Sequence, residues 1–231
     1  MTNYTAPWLA AFFVIIGGLL SVPAHADCSD KPGPKVDWTK CTKMRLVLRN
    51  DDLSEAILKR TNLSSTDLAG ANLAGATLAE ANIDRARLQD ADLTDSDLRK
   101  VQGSRANFRE ANLAGARLTK SELLRANFSG ANLEGTDLSK AELGRANFTD
   151  SDLDGANLSF SNIARATFKD AELEDVEFTR AYTYLTRFEG VDLTSATGLS
   201  QVQLELACGN DETQLPEGLE MPANWPCAGE E

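Results

Sequence analysis

From Leu48 onward an apolar residue recurs at every fifth position: Leu53, Leu58, Leu63, Leu68, Leu73, Leu78, Ile83, Leu88, Leu93 and Leu98. The series skips Gly103, resumes at Phe108 and runs to Phe178. It breaks at Thr183, returns at Phe188 and Leu193, and ends at Gly198. Two residues before each centre stands a small residue, as at Ala71, Ala76, Ala81 and Ala106, with Ser, Thr or Val as substitutes. The position just before the centre is usually Asn or Asp. A repeat of five matches neither the helical period near 3.6 nor the strand period of 2. Long helices also tolerate so many Asn, Asp and Gly residues poorly. The chain must therefore turn once per pentapeptide. The centre and the small residue point inward, and the other three positions face water.

The phenylalanines count the sides. Phe108, Phe128, Phe148, Phe168 and Phe188 are spaced by 20, as are Arg85, Arg105, Arg125, Arg145 and Arg165, and again Lys100, Lys120 and Lys140. Twenty residues are four pentapeptides, so one coil has four sides and residues 20 apart stack. Coils that pair like neighbouring strands lie about 4.8 Å apart, which makes a rod roughly 35 Å long. Burial of each stacked Phe contributes about 2–3 kcal/mol.

These A-(N/D)-L-x-x repeats resemble the pentapeptide-repeat family over residues 46–198. The resemblance implies an all-β fold, a right-handed quadrilateral β-helix. Its open ends need caps, expected with their disulfides at 27–45 and, with a short helix, at 199–231. It carries little information on function, although some members of the family bind DNA gyrase by imitating the DNA backbone. The tail segments Gly198–Gln201 with Leu204, Ala207–Gly209 and Leu215–Leu219 resemble those of exported bacterial members. Gly103 and Thr183 depart from the pattern on one side, four coils apart. Two readings stand for them: a local bulge or cavity, or plain decay of the repeat.

Residues 1–26 contain no Asp, Glu, Lys or Arg; a mostly apolar run from Trp8 to Leu20 precedes Ala24-His25-Ala26. This reads as a signal peptide cleaved after Ala26, with a periplasmic or secreted product. The run is short for a membrane span, so no stable anchor is expected. Cleavage removes His25, the single histidine. The mature chain then has no imidazole for base catalysis or metal ligation. No catalytic residue, cofactor or metal is expected. The cysteines, Cys28, Cys41, Cys208 and Cys227, lie outside the repeats, two at each end. An oxidising compartment makes disulfides the default. Three pairings are possible; Cys28–Cys41 with Cys208–Cys227 closes the shortest loops, at about 3 kcal/mol each. A zinc site of four thiolates is the alternative, without C-x-x-C spacing. Ser200 is positioned to cap a helix over Gln201–Ala207.

A formal charge of −12 disfavours direct binding of nucleic acid. The arginine column nevertheless makes a candidate binding stripe, extended by the lysine column, with Glu122 and Glu142 as expected counter-charges. Acidic residues gather on the other corners, among them Asp90, Glu110, Asp150, Asp170, Asp95 and Asp175. Asp150-Ser-Asp152-Leu-Asp154-Gly155 opens like a calcium loop, but Ser161 stands where the closing Glu belongs. The reading that results is a non-enzymatic periplasmic rod, a monomer or cap-mediated homodimer, that presents binding surface to a protein or an anionic polymer. The alternative is a DNA-mimicking protein that binds a topoisomerase.

Overall fold

The computed structural model describes residues 26–227. The signal peptide expected from the sequence lies outside them up to His25. Each pentapeptide makes one side of a coil and one corner. At the corner, the centre's carbonyl accepts a hydrogen bond from the N–H three residues on, as from Ala56 to Leu53 at 3.1 Å. The residue before that donor is left-handed: Glu55 at φ 55°, Arg85 at 54°, Arg105 at 59°, even Phe160 at 59°. A turn with positive φ at its third residue normally asks for glycine. Here most such corners carry a side chain, at about 1 kcal/mol each.

The Asn or Asp before each centre offsets part of that cost. Its Oδ1 turns back and accepts from the backbone N–H two residues on: Ser54 to Asp52 at 3.0 Å, Ala74 to Asn72 at 3.1 Å, Ser159 to Asn157 at 2.9 Å. Asx turns of this kind hold the backbone in the conformation that the corner needs. These side chains, expected to face only water, are structural.

Residues 20 apart pair in a parallel ladder that runs from Asp37↔Ile57 to Glu177↔Thr197. Each side contributes a single bridging residue, so the coils stack by isolated bridges rather than by long strands. The ladder starts at Asp37, inside the segment expected to be purely cap, and fully buried Trp38 fills a centre position. Phe108, Phe128, Phe148 and Phe168 stack with ring centroids 4.9, 5.0 and 4.8 Å apart. Phe188 closes the column at 5.4 Å from Phe168. Outside the same coils, Asn107, Asn127 and Asn147 form an amide ladder, each Nδ2 donating to the Oδ1 one coil back at 3.3 Å. The interior is filled by Leu, Ile, Phe and Ala throughout.

The two irregular centres have different causes. At Gly103 there is neither bulge nor cavity: the ladder continues through Gln102, and Ile83 and Leu123 from the adjacent coils fill the space. At Thr183 the coil gives way to the cap. Helix α1, Gln201–Leu206, lies over this side, and the Thr183 hydroxyl donates to the Gln203 carbonyl at 2.7 Å. Ser200 caps α1 in a reciprocal box with Gln203, and Leu204 is fully buried. Two disulfides tie the ends, Cys28–Cys41 and Cys208–Cys227. At the N-terminal end the Trp38 indole donates to the Asp30 carbonyl, and Lys43 Nζ lies 3.9 Å from the ring centroid. At the other end Trp225 packs against Gly209, where a Cβ would fall 2.1 Å from the indole. Among the described residues no helix is long and apolar enough to cross a membrane.

Candidate functional site

The coil register brings Arg85, Arg105, Arg125, Arg145 and Arg165 to one corner, as their spacing predicts, and adds Arg45, which the sequence reading left out. All are left-handed turn residues, apart from the question of what they bind. The preceding position of the same corner forms a floor of mostly small or short side chains: Ser64, Asp84, Ser104, Leu124, Gly144 and Ala164. Floor and arginines together make an open groove of about 900 Å³ along the rod. Its emptiness follows from the sequence of the floor. Large residues there would fill it; instead, of the large apolar side chains, only Met44 at one end and Leu124 midway line it, and Leu124 lies across Gly144, where a Cβ would stand 3.1 Å from Leu124 Cδ2.

Arg85, Arg105, Arg125 and Arg145 are exposed and make no ion pair with any described residue. The expected counter-charges do not reach them. Glu122 and Glu142 stand on the flat of the side, in the ladder position, and Glu142 Oε2 accepts instead from Asn162 Nδ2 at 2.9 Å. Elsewhere on the rod, most arginines are neutralised. Arg49 and Arg87 both hold Asp67, Arg99 and Arg117 face Asp97, and Arg60 pairs with Glu80 at 2.7 Å. Like charges one coil apart repel, and exposed pairs return little stability. Four arginines in one column without an ion pair among the described residues are therefore a cost to the fold that surface packing does not explain.

The lysine column, Lys100, Lys120 and Lys140, borders the same side at its other corner. It ends at Phe160, whose ring has Lys140 Nζ at 5.8 Å and Arg180 Cζ at 5.7 Å. One side of the rod thus lies between two basic ridges. At its C-terminal end stand Tyr182 and Tyr184, both exposed, with ring centroids 6.3 Å apart and planes within 11°. Tyr182 bridges to Asn162, and the Tyr184 carbonyl accepts from the Arg165 N–H, so the pair sits one coil beyond the last arginine. Tyrosines at these positions carry no signal in the pentapeptide pattern, and only the register reveals them as the head of the groove.

The opposite side is acidic. There the ladder opens: Asp152↔Glu172 and Asp192↔Gln214 are bridged, but Glu172 and Asp192 are not. The Asp175 N–H bonds the Ser195 hydroxyl at 3.1 Å instead of a backbone carbonyl. Carboxylate oxygens of Asp152, Asp154 and Glu172 lie within 4.8 Å of one another. The stack accounts for this grouping, since Glu172 is one coil above Asp152. Asp152 also caps its own turn by accepting from the Asp154 N–H at 3.0 Å, and Leu153 is fully buried, unlike a residue of a calcium loop.

This geometry defines a solenoid of stacked pentapeptides, and comparison of the sequence with known families agrees. The profile for pentapeptide repeat regions matches residues 102–178 and 121–197, and that for pentapeptide repeats in eight copies matches 48–84 and 61–100. The chain belongs to the pentapeptide-repeat family. Among solved structures it is similar to HetL, a pentapeptide repeat protein involved in heterocyst differentiation regulation from the cyanobacterium Nostoc sp. strain PCC 7120. That match has 25% identity, 83% of this chain and 85% of the other covered, and a TM-score of 0.61. A pentapeptide repeat protein from the Arabidopsis thaliana thylakoid lumen aligns at 27% identity, over 51% of this chain and 77% of that one, with a TM-score of 0.34. The plasmid-mediated fluoroquinolone resistance protein QnrB1 aligns at 16% identity over 78% and 89%, with a TM-score of 0.42. No curated protein matches the chain.

Proposed function

We propose that this protein is an exported, non-enzymatic interaction protein, a rigid rod that binds a partner along its arginine-lined groove. Four arginines of the column, Arg85, Arg105, Arg125 and Arg145, exposed and without an ion pair among the described residues, carry the reading. The two far corners of the rod are glycine-broken or acidic and the lysine ridge borders the same side, whereas the arginine corner keeps its charges beside an open groove. Support for a non-catalytic role comes from the core, packed with aliphatic and aromatic side chains along its length, and from a sequence with no histidine after residue 25. The reading as a DNA mimic has weaker support. The acidic corners are interrupted by Gly70, Gly75, Gly115, Gly130, Gly135, Gly155 and Gly190, so they do not repeat charge at every coil as a phosphate backbone does.

Two experiments test the proposal. Fractionation of cells should recover a chain that starts at Asp27 outside the cytoplasm. A partner captured from that fraction should be lost when Arg105, Arg125 and Arg145 are replaced together by Gln. Equal capture by parent and triple variant would remove the groove from consideration.

A further inference from the structure

We infer that the groove takes a linear polymer of uronic-acid sugars, laid along the rod axis with its end ring against Tyr182 and Tyr184. The inference rests on the groove being the binding surface, and three observations narrow the ligand.

The first is pitch. Coils repeat every 4.8–5.0 Å, as the phenylalanine column measures. A ligand must offer negative charge in step with that repeat. An extended acidic peptide returns a side chain to one face about every 6.8 Å, so it falls out of register within a few coils. A linked pyranose ring advances by close to one coil height and carries one carboxylate per uronate. In a flattened sugar ribbon the carboxylates alternate between two edges, so the edge on the arginine ridge presents one at every second coil and stays in register, while the lysine ridge stands beyond the flat that carries Glu122 and Glu142.

The second is the chemistry of the floor. Asp84 stands in it, with Ser64 and Ser104 above and below. A carboxylate among the arginines opposes a ligand made only of anions, such as a phosphodiester chain. It suits one that also brings hydroxyl donors. Asp84 Oδ1 already accepts the Ser104 N–H at 2.8 Å, which fixes its orientation. The second oxygen and the two serine hydroxyls are the sugar-like partners.

The third is apolar surface in a polar groove. Leu124 is 47% exposed midway along the floor, and Tyr182 and Tyr184 are 51% and 42% exposed at its end. Sugar rings present flat C–H faces that pack on such surfaces. Amphipathic aromatics of this kind serve where a ligand is apolar on one side and wet on the other.

The test is a titration of the disulfide-intact exported chain with polygalacturonate. Length-matched polyglutamate, single-stranded oligonucleotide and neutral dextran serve as comparison probes. Polygalacturonate should bind, and bind tighter than the other three. Neutralising Arg105, Arg125 and Arg145 to Gln should weaken it about tenfold or more. Tyr182→Ala with Tyr184→Ala should weaken it several-fold while leaving residual polyglutamate binding unchanged. Melting temperatures of the variants, all altered only at exposed positions, confirm that each is folded. If polyglutamate or oligonucleotide binds as tightly as polygalacturonate, and the arginine variant loses it, the sugar inference falls and the groove stands. If no anionic polymer binds, or the arginine variant binds polygalacturonate as tightly as the parent, the inference and the groove fall together.

Discussion

The Thr183 hydroxyl donates to the Gln203 carbonyl at 2.7 Å, joining the last irregular coil to the capping helix. Gln203 completes the junction: its Nε2 donates to the Phe178 and Ala181 carbonyls, both at 3.0 Å, and its Oε1 accepts from the Ser200 N–H at 3.0 Å. A leucine at 183, as the repeat asks, has no donor for that carbonyl. Thr183→Val keeps the shape and removes the bond. It should cost about 1–2 kcal/mol, read as a fall in Tm of roughly 2–8 °C. Gln203→Ala should cost more, since these side-chain bonds and the one its Oε1 accepts from the Ser200 hydroxyl all go. A Thr183→Val variant that melts with the parent would mean that the cap docks by Leu204 alone.

Gly103 sits in the same side of the rod for the opposite reason. A Cβ there would lie 2.9 Å from Leu123 Cδ2 and 3.0 Å from Ile83 Cγ1. Gly103→Ala should therefore destabilise by about 1–3 kcal/mol through overpacking. Trimming the neighbour in the double variant with Leu123→Val should recover part of the loss, so the two changes will not add. Stabilisation by Gly103→Ala in thermal melts would show that the site is underfilled after all.

The phenylalanine column predicts a gradient of cost. Phe148 stacks on Phe128 and Phe168, whereas Phe108 stacks on Phe128 alone and meets Leu88 on its other side. Phe148→Ala should cost about 3–5 kcal/mol. Phe148→Leu, which installs the residue used in earlier coils, should cost less than that but more than Phe108→Leu. Chemical denaturation of the two leucine variants decides it. Equal losses would mean that the rings contribute only volume, not stacking.

The pentapeptide period made the path of the backbone legible before any coordinate, because centre, small residue and side count all follow from spacing. The same period hid what matters at the surface. Asn72 and Asn157 look like solvated polar residues in the sequence, yet they hold corners, since an Asx turn leaves no mark beyond an Asn or Asp that solubility also explains. The arginine column was legible as a column, but that Arg85, Arg105, Arg125 and Arg145 form no ion pair with a described residue was not. Glu122 and Glu142 are near in sequence and are directed elsewhere by the ladder position they occupy. The break at Thr183 was visible in the repeat, but the place of the flanking Tyr182 and Tyr184 at the head of the groove needed the register. The two centre irregularities looked alike, and only packing distinguished a filled gap from a helix dock.

Two aspartates make acid stability testable. Burial raises the carboxyl of Asp67, but hydrogen bonds from Arg49 and Arg87 outweigh it and leave the group below its ordinary 3.8. At Asp97 the hydrogen bonds from the Arg99 side chain are the largest effect, burial opposes them, and the result is again lowered. A carboxylate whose folded value lies below its unfolded one stabilises the fold above the unfolded value. That contribution is lost as pH falls through the folded value. Tm should hold steady from neutral pH to about 5 and decline below about 4. Asp67→Asn and Asp97→Asn keep an Oδ1 acceptor for the turn, since the repeat uses Asn there freely, and remove the charge together with the Oδ2 acceptor that the arginines use. Both variants should melt lower than the parent at pH 7 and lose less on acidification. An acid slope unchanged in the double variant would place the pH sensitivity in other carboxylates of the rod.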